Sequence, residues 1–233
     1  GHSARMAQKG SSSAISCKDE GLNEIPAAVL SRVEARRVDL SGNALRRLDG
    51  LEALSLMSTL NVSRNQLSSK ALQPVIQTAS QLAVLNAGHN RLKKLPDLAA
   101  CEGLKALLLN HNALRLVRAL PPLKMLNTLV LSHNELKAVS AEALASLPSL
   151  KKLSLSHNAL SAFPDVRANA QLVELRLNGN AIERVPSWLA DGAPSLRLLD
   201  LGSNRLADWA ATGPLHKMEL HNVTLAGNPL CGA

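Results

Sequence analysis

One pattern of apolar and polar positions recurs along most of the chain: Leu-x-x-Leu-x-Leu-x-x-Asn-x-Leu. Its asparagines are Asn43, Asn65, Asn90, Asn112, Asn134, Asn158, Asn180, Asn204 and Asn228, at successive spacings of 22, 25, 22, 22, 24, 22, 24 and 24 residues. Self-similarity at such a period marks a repeat architecture, in which each unit buries its apolar face only against its neighbours. A partial copy over residues 15–26 keeps the apolar spacing but places Glu20 where asparagine is expected, and reads as an N-terminal half-repeat closing the stack.

The alternation at the centre of the frame predicts a short strand, and stacked units pair each strand in parallel with the next at about 4.8 Å. Frame leucines point inward. Positions 3, 5 and 7 face out of the sheet, and position 8 lies beside them at the turn. The short asparagine amide both donates and accepts, so it can satisfy backbone groups buried where the chain leaves the strand, and all nine are read as structural. Leu95-Pro96, Val139 and Phe163-Pro164 complete the core from the return segments, where proline suits an irregular or 3-10 path. The longer copies, such as residues 139–147, have room for a helical turn. The expected fold class is α/β: a horseshoe solenoid with a parallel concave sheet and an irregular, 3-10 or short-helical convex side. One domain is read over residues 15–233, after a vector remnant at 1–5 ahead of Met6 and a disordered N-terminus at 6–14.

This frame resembles the leucine-rich repeat superfamily over roughly residues 15–230. The 22-residue copies are similar to its short intracellular class, which includes the leucine-rich regulatory subunit of type-1 protein phosphatase, the leucine-rich light chain of axonemal dynein and the spliceosomal A-prime protein. The resemblance implies a non-enzymatic scaffold or regulatory subunit holding a protein partner on its concave face, with a phosphatase or a cytoskeletal or axonemal component as the partner class. The phosphatase subunit grips with concave aromatic and acidic residues, and this concave face is aromatic-poor with no acid at its centre. Extracellular members usually carry cysteine-cluster caps, of which Asn228-Pro229-Leu230-Cys231 is only a trace.

Composition narrows the function further. Hydrophobic residues make up 46% of the chain but aromatics only 1%, which excludes the aromatic platforms on which nucleic-acid bases stack. Cys17, Cys101 and Cys231 are odd in number and far apart, which argues against a disulfide framework and for a reducing, intracellular and cytoplasmic setting. No secretory h-region or membrane span is read. Phosphate loops, paired-cysteine zinc spacings and hydrolase motifs are absent from the sequence, so no enzyme activity, cofactor or metal is assigned.

The candidate contact residues lie at the outward positions. Val84, Ala106, Leu108 and Val130 form an apolar patch on three adjacent strands, flanked by Asn86, Asn110, Lys152 and Arg176 and by the turn residues His111 and His133. His89, His111, His133 and His157 occupy position 8 of four consecutive repeats and form a column, open to solvent exposure, partner contact, metal binding or a pH response. Arg46, Arg47, Lys93, Lys94, Arg115, Lys137 and Arg184 fall at positions 12 and 13 and predict a basic edge stripe. With a net charge of +8, that stripe suits an acidic partner and motivates the alternative of a ribonucleoprotein or nucleic-acid-associated subunit. The last repeat is apolar at its frame positions and is followed by five residues. The natural chain is therefore expected to continue past Ala233, or this end to be covered in a dimer.

Overall fold

The structure, a computed structural model, describes residues 13–232. Its strands are short because each frame gives only one alternation of inward and outward side chains. In chain order they are β1 (Ala14–Ser16), β2 (Arg37–Asp39), β3 (Thr59–Asn61), β4 (Val84–Asn86), β5 (Ala106–Leu108), β6 (Leu116–Val117), β7 (Thr128–Val130), β8 (Ala138–Val139), β9 (Lys152–Ser154), β10 (Glu174–Arg176), β11 (Leu198–Asp200) and β12 (Asn222–Thr224). All but β6 and β8 form a ten-stranded parallel sheet in chain order, while β6 pairs with β8 in the return segments. The α/β solenoid expected from the repeat is therefore the fold observed.

Register keeps equivalent frame positions side by side: Leu85 pairs with Leu107, Leu107 with Leu129 and Leu129 with Leu153. These residues, and Ala87, Leu109, Leu131 and Leu155 two positions on, are essentially inaccessible to solvent. At about 1.5–3 kcal/mol for each fully buried aliphatic side chain, these stacked columns hold the coils together.

Each frame asparagine bridges two coils. Asn112 Nδ2 donates to the carbonyl of Ala87 in the preceding coil (3.0 Å) and to Leu109 in its own (3.1 Å), while Oδ1 accepts the Leu92 N–H at 2.9 Å. Asn134, Asn158, Asn180, Asn204 and Asn228 repeat this arrangement. Asn43 ties the half-repeat in the same way, through the Cys17 carbonyl and the Leu22 N–H.

Return segments follow repeat length. The helices α2 (Ser69–Thr78), α3 (Ala141–Ala145) and α4 (Leu189–Gly192) and the 3-10 helix Trp209–Lys217 all fall in repeats of 24 or 25 residues. A helix advances only about 1.5 Å per residue against about 3.3 Å for a strand, so coiling absorbs the extra residues within the same span. Another helix, α1 (Ala27–Leu30), lies in the N-terminal coil. Ser68 and Ser140 cap α2 and α3 by accepting the N–H groups of Ala71 and Ala143.

One boundary differs from the sequence reading. Ala14 belongs to β1, and the Ser13 carbonyl accepts from the N–H groups of Arg36 and Arg37, so the sheet begins inside the stretch expected to be disordered. Pairing with β2 supplies the order that the polar local sequence does not suggest. The rest of that stretch and the vector remnant lie outside the described residues, as does Ala233. At the other end Val223 of β12 is 45% exposed.

Candidate functional site

The predicted concave residues lie on adjacent strands. Val84 of β4 pairs with Ala106 of β5, which pairs with Thr128 of β7, while Asn86 pairs with Leu108 and Leu108 with Val130. All six are half-buried while the frame leucines between them are fully buried, so the patch is an apolar surface with a hard floor. Asn86 is partly committed to its own turn, its Oδ1 accepting the Gly88 N–H at 3.1 Å. Asn110 sits at the following turn, its side chain beside Gly88. Lys152 and Arg176 do flank the patch, but both pair with Glu174, at 3.6 Å and 2.6 Å. That flank is a small mixed-charge cluster with one net positive charge.

The histidine column is more regular than its spacing predicted. Ring centroids of His89 and His111 are 4.0 Å apart, those of His111 and His133 4.0 Å, and those of His133 and His157 4.3 Å, with interplanar angles of 14°, 8° and 15°. The cause is a left-handed turn at every position 8: the four histidines have φ of 52–53°, and Arg64 and Ser203 share it at 54° and 53°. A common backbone geometry points successive side chains the same way. Hydrogen bonds from the N–H groups of His89, His111, His133 and His157 to the carbonyls of Asn110, Ser132, Ser156 and Asn178 draw the turns together. The column stops at Gly179, where a Cβ would lie 2.6 Å from His157 Nδ1. The left-handed turn was the feature missed from the sequence, and its signal is that Gly42, Gly179 and Gly227 share frame position 8 with the histidines.

Loss of solvent, followed by the charges of neighbouring groups, holds His89, His111 and His133 below the ordinary imidazole range. The neighbours are Arg64 and His133 for His89, His89 and His157 for His111, and His111 and His157 for His133. Parallel rings send their lone pairs side by side rather than toward one point, unlike a tetrahedral metal site. Among the described residues no group of three or more His, Cys, Asp or Glu is placed to hold a metal ion.

The predicted basic stripe breaks up when partners are counted. Arg47 pairs with Asp49 and Arg115 with Glu135, each at 2.8 Å, and Arg46 Nε donates to Gln66 Oε1 at 3.2 Å. Arg184 lines a groove with Glu183, Arg205 and Asp208, and Lys137 stands exposed. Lys93 and Lys94 instead gather with Lys70 and Arg91 at the start of α2. No helix among the described residues is long and apolar enough to cross a membrane.

The Leucine rich repeat family matches residues 118–160. No curated protein sequence matches the chain. Among solved structures it is similar to a leucine-rich repeat protein of Leptospira interrogans, at 25% identity and a TM-score of 0.76, over 90% of this chain and 53% of that one. It is also similar to a chain in the octameric complex of Latrophilin 3, Unc5D and FLRT2, the last present as its leucine-rich repeat, with 21% identity, a TM-score of 0.72 and coverage of 93% and 74%. The leucine-rich repeat domain of APL1B gives 20% identity, a TM-score of 0.70 and coverage of 88% and 59%. The fold is that of a leucine-rich repeat solenoid, and the chain spans about half the length of the Leptospira protein.

Proposed function

We propose that this chain is a non-enzymatic protein-interaction scaffold whose concave face holds a protein partner across Val84, Ala106, Leu108 and Val130. The observation that carries this reading is the in-register apolar patch, presented on rigid strands and ringed by polar groups. The neighbours lend it support: leucine-rich repeat proteins generally mediate protein–protein contacts, and FLRT2 is seen in a complex with two other proteins. A regulatory role on a phosphatase or a cytoskeletal component rests on the resemblance of the 22-residue frame. The patch itself suits a partner that offers aliphatic side chains rather than a strongly charged one. An intracellular setting is part of the proposal, because no disulfide joins the cysteines of the described residues, two of which, Cys17 and Cys101, are buried in the core.

The test is a paired affinity capture with the wild-type protein and the Leu108→Glu plus Val130→Glu variant, whose changes lie at outward positions and leave the core intact. Circular dichroism first establishes that the variant folds. A partner lost selectively by the variant supports the concave site, and an unchanged partner set overturns it.

A further inference from the structure

The four cations gathered at the start of α2 form a built cleft, separate from the concave patch. Ser68, Ser69, Lys70, Arg91, Lys93 and Lys94 line a shallow, solvent-open hollow of about 400 Å³, and no carboxylate lines it. None of Lys70, Arg91, Lys93 and Lys94 forms an ion pair with a described residue, whereas the stripe residues Arg47 and Arg115 each have an acidic partner. Four like charges around one hollow repel each other, so the cleft gains from any anion that enters.

Its walls are fixed by reciprocal bonds between α2 and the next coil. Ser69 Oγ donates to the Lys94 carbonyl at 2.7 Å and accepts the Lys94 N–H at 3.1 Å. One turn along, Gln73 Nε2 donates to the Asp97 carbonyl at 3.2 Å and Gln73 Oε1 accepts the Asp97 N–H at 2.7 Å. These clamps hold the backbone beneath Lys93 and Lys94 in place, so binding need not order it. Among the described residues such a reciprocal pair of clamps occurs here, where α2 occupies the repeat with the 25-residue spacing.

We propose that this cleft binds vicinal phosphomonoesters, as carried by a polyphosphorylated cyclitol either free or as a lipid headgroup. The charge count favours phosphate: each phosphomonoester carries about −1.5 to −2, so two neighbouring groups match four cations within one small hollow. An acidic peptide supplies one charge per side chain, spread along about 3.3–3.6 Å of chain per residue, and fills the site less densely. Arg91 can grip one phosphate with its planar fork, while the three lysines act as mobile point charges around the other.

The experiment titrates the whole protein with inositol hexakisphosphate by calorimetry at about 150 mM salt, where weak long-range attraction is screened. A second arm uses phosphatidylcholine vesicles with and without phosphatidylinositol 4,5-bisphosphate. One-to-one binding is expected that weakens about tenfold or more in Lys93→Ala plus Lys94→Ala and stays near wild type in Lys137→Ala plus Arg184→Ala, which removes equal charge elsewhere. Binding to the free compound alone supports a soluble ligand, and binding to the doped vesicles alone supports a headgroup. Equal weakening in both variants, no binding in either arm, or binding only to a phosphorylated peptide overturns the proposal. Capture of the concave partner should be unchanged in the Lys93/Lys94 variant, so the two surfaces fail or succeed separately.

Discussion

His111 lies face to face with His133, ring centroids 4.0 Å apart and planes 8° from parallel. This packing suits uncharged rings, because a proton on one imidazole raises the cost of a proton on the next. Loss of solvent first, and then neighbouring charge that includes this repulsion, hold His89, His111 and His133 below the ordinary imidazole range. Below about pH 6.5 the folded chain therefore binds fewer of these protons than the unfolded chain does. Stability from the column is present above that pH and is lost as acid carries the solution through the lower folded values. Replacing His89, His111 and His133 by asparagine, which tolerates the left-handed turn, removes this contribution. The wild-type melting temperature should fall relative to the variant's between about pH 7.5 and about pH 5, the range that imidazole titration spans. Parallel profiles would show that the stack is energetically silent.

The frame asparagines should be among the most sensitive polar positions. Asn112→Ala removes three hydrogen bonds, two of them between coils, and strands the Leu92 N–H, for an expected cost of about 2–4 kcal/mol. Urea unfolding should show this as a lower midpoint. Asn222→Ala, at an exposed outward position, should change stability by less than about 0.5 kcal/mol. Similar midpoints for both variants would contradict the bridging role.

A fully buried polar residue also lies in a return segment. Asn169 Nδ2 donates to the carbonyls of Leu144 and Leu147, both at 2.9 Å, while its Oδ1 is buried without a partner. Cys101 holds the equivalent position three coils earlier, with its Sγ 3.6 Å from the carbonyls of Ile76 and Ala79. Asn169→Cys should therefore cost no more than about 1 kcal/mol. Asn169→Asp, which turns a donor toward two carbonyls into a charge, should cost about 3 kcal/mol or more. Chemical denaturation that ranks the two variants in the opposite order would overturn the equivalence.

Thiol chemistry gives an independent check on burial. Burial pushes the Cys101 thiol up to about 11, with Asp97 adding to the effect, and raises Cys17 as well, with Glu20 and Asp39 adding there. Cys231 is exposed. In the folded protein at about pH 8 a disulfide reagent should modify Cys231 rapidly, and Cys17 and Cys101 only after urea is added. Rapid reaction of all three without denaturant would refute the packing of the first and fourth coils.

The solenoid was legible in the sequence because its stabilising contacts are local and repeated. The frame leucines and asparagines announce strand, turn and register together, and repeat length even sorted the helical returns, with α3 where residues 139–147 left room for a turn. What stayed hidden depended on geometry between coils. Position 8 showed histidines in a column, but their stacking arises from a positive φ that only the glycines at equivalent positions hint at. Lys93 and Arg115 looked alike in the stripe. Glu135, 20 residues along the chain, neutralises one, while α2 sets the other among three more cations. The apolar patch was readable as a patch, since strand alternation decides which side chains face out. Its flank was read less well, because Glu174 was not recognised as the partner that Lys152 and Arg176 share.

The asparagine bridges also determine how the molecule gives way under tension. Each one ties a coil to the coil before it, so load applied at the two termini concentrates on the outermost bridge. Pulling should peel the solenoid from its ends, each rupture freeing 22–25 residues, or roughly 80 Å of extended chain. A force spectrum of this protein would then be a staircase of nearly equal treads, its risers marking the loss of Asn43 or Asn228 first and the central asparagines last.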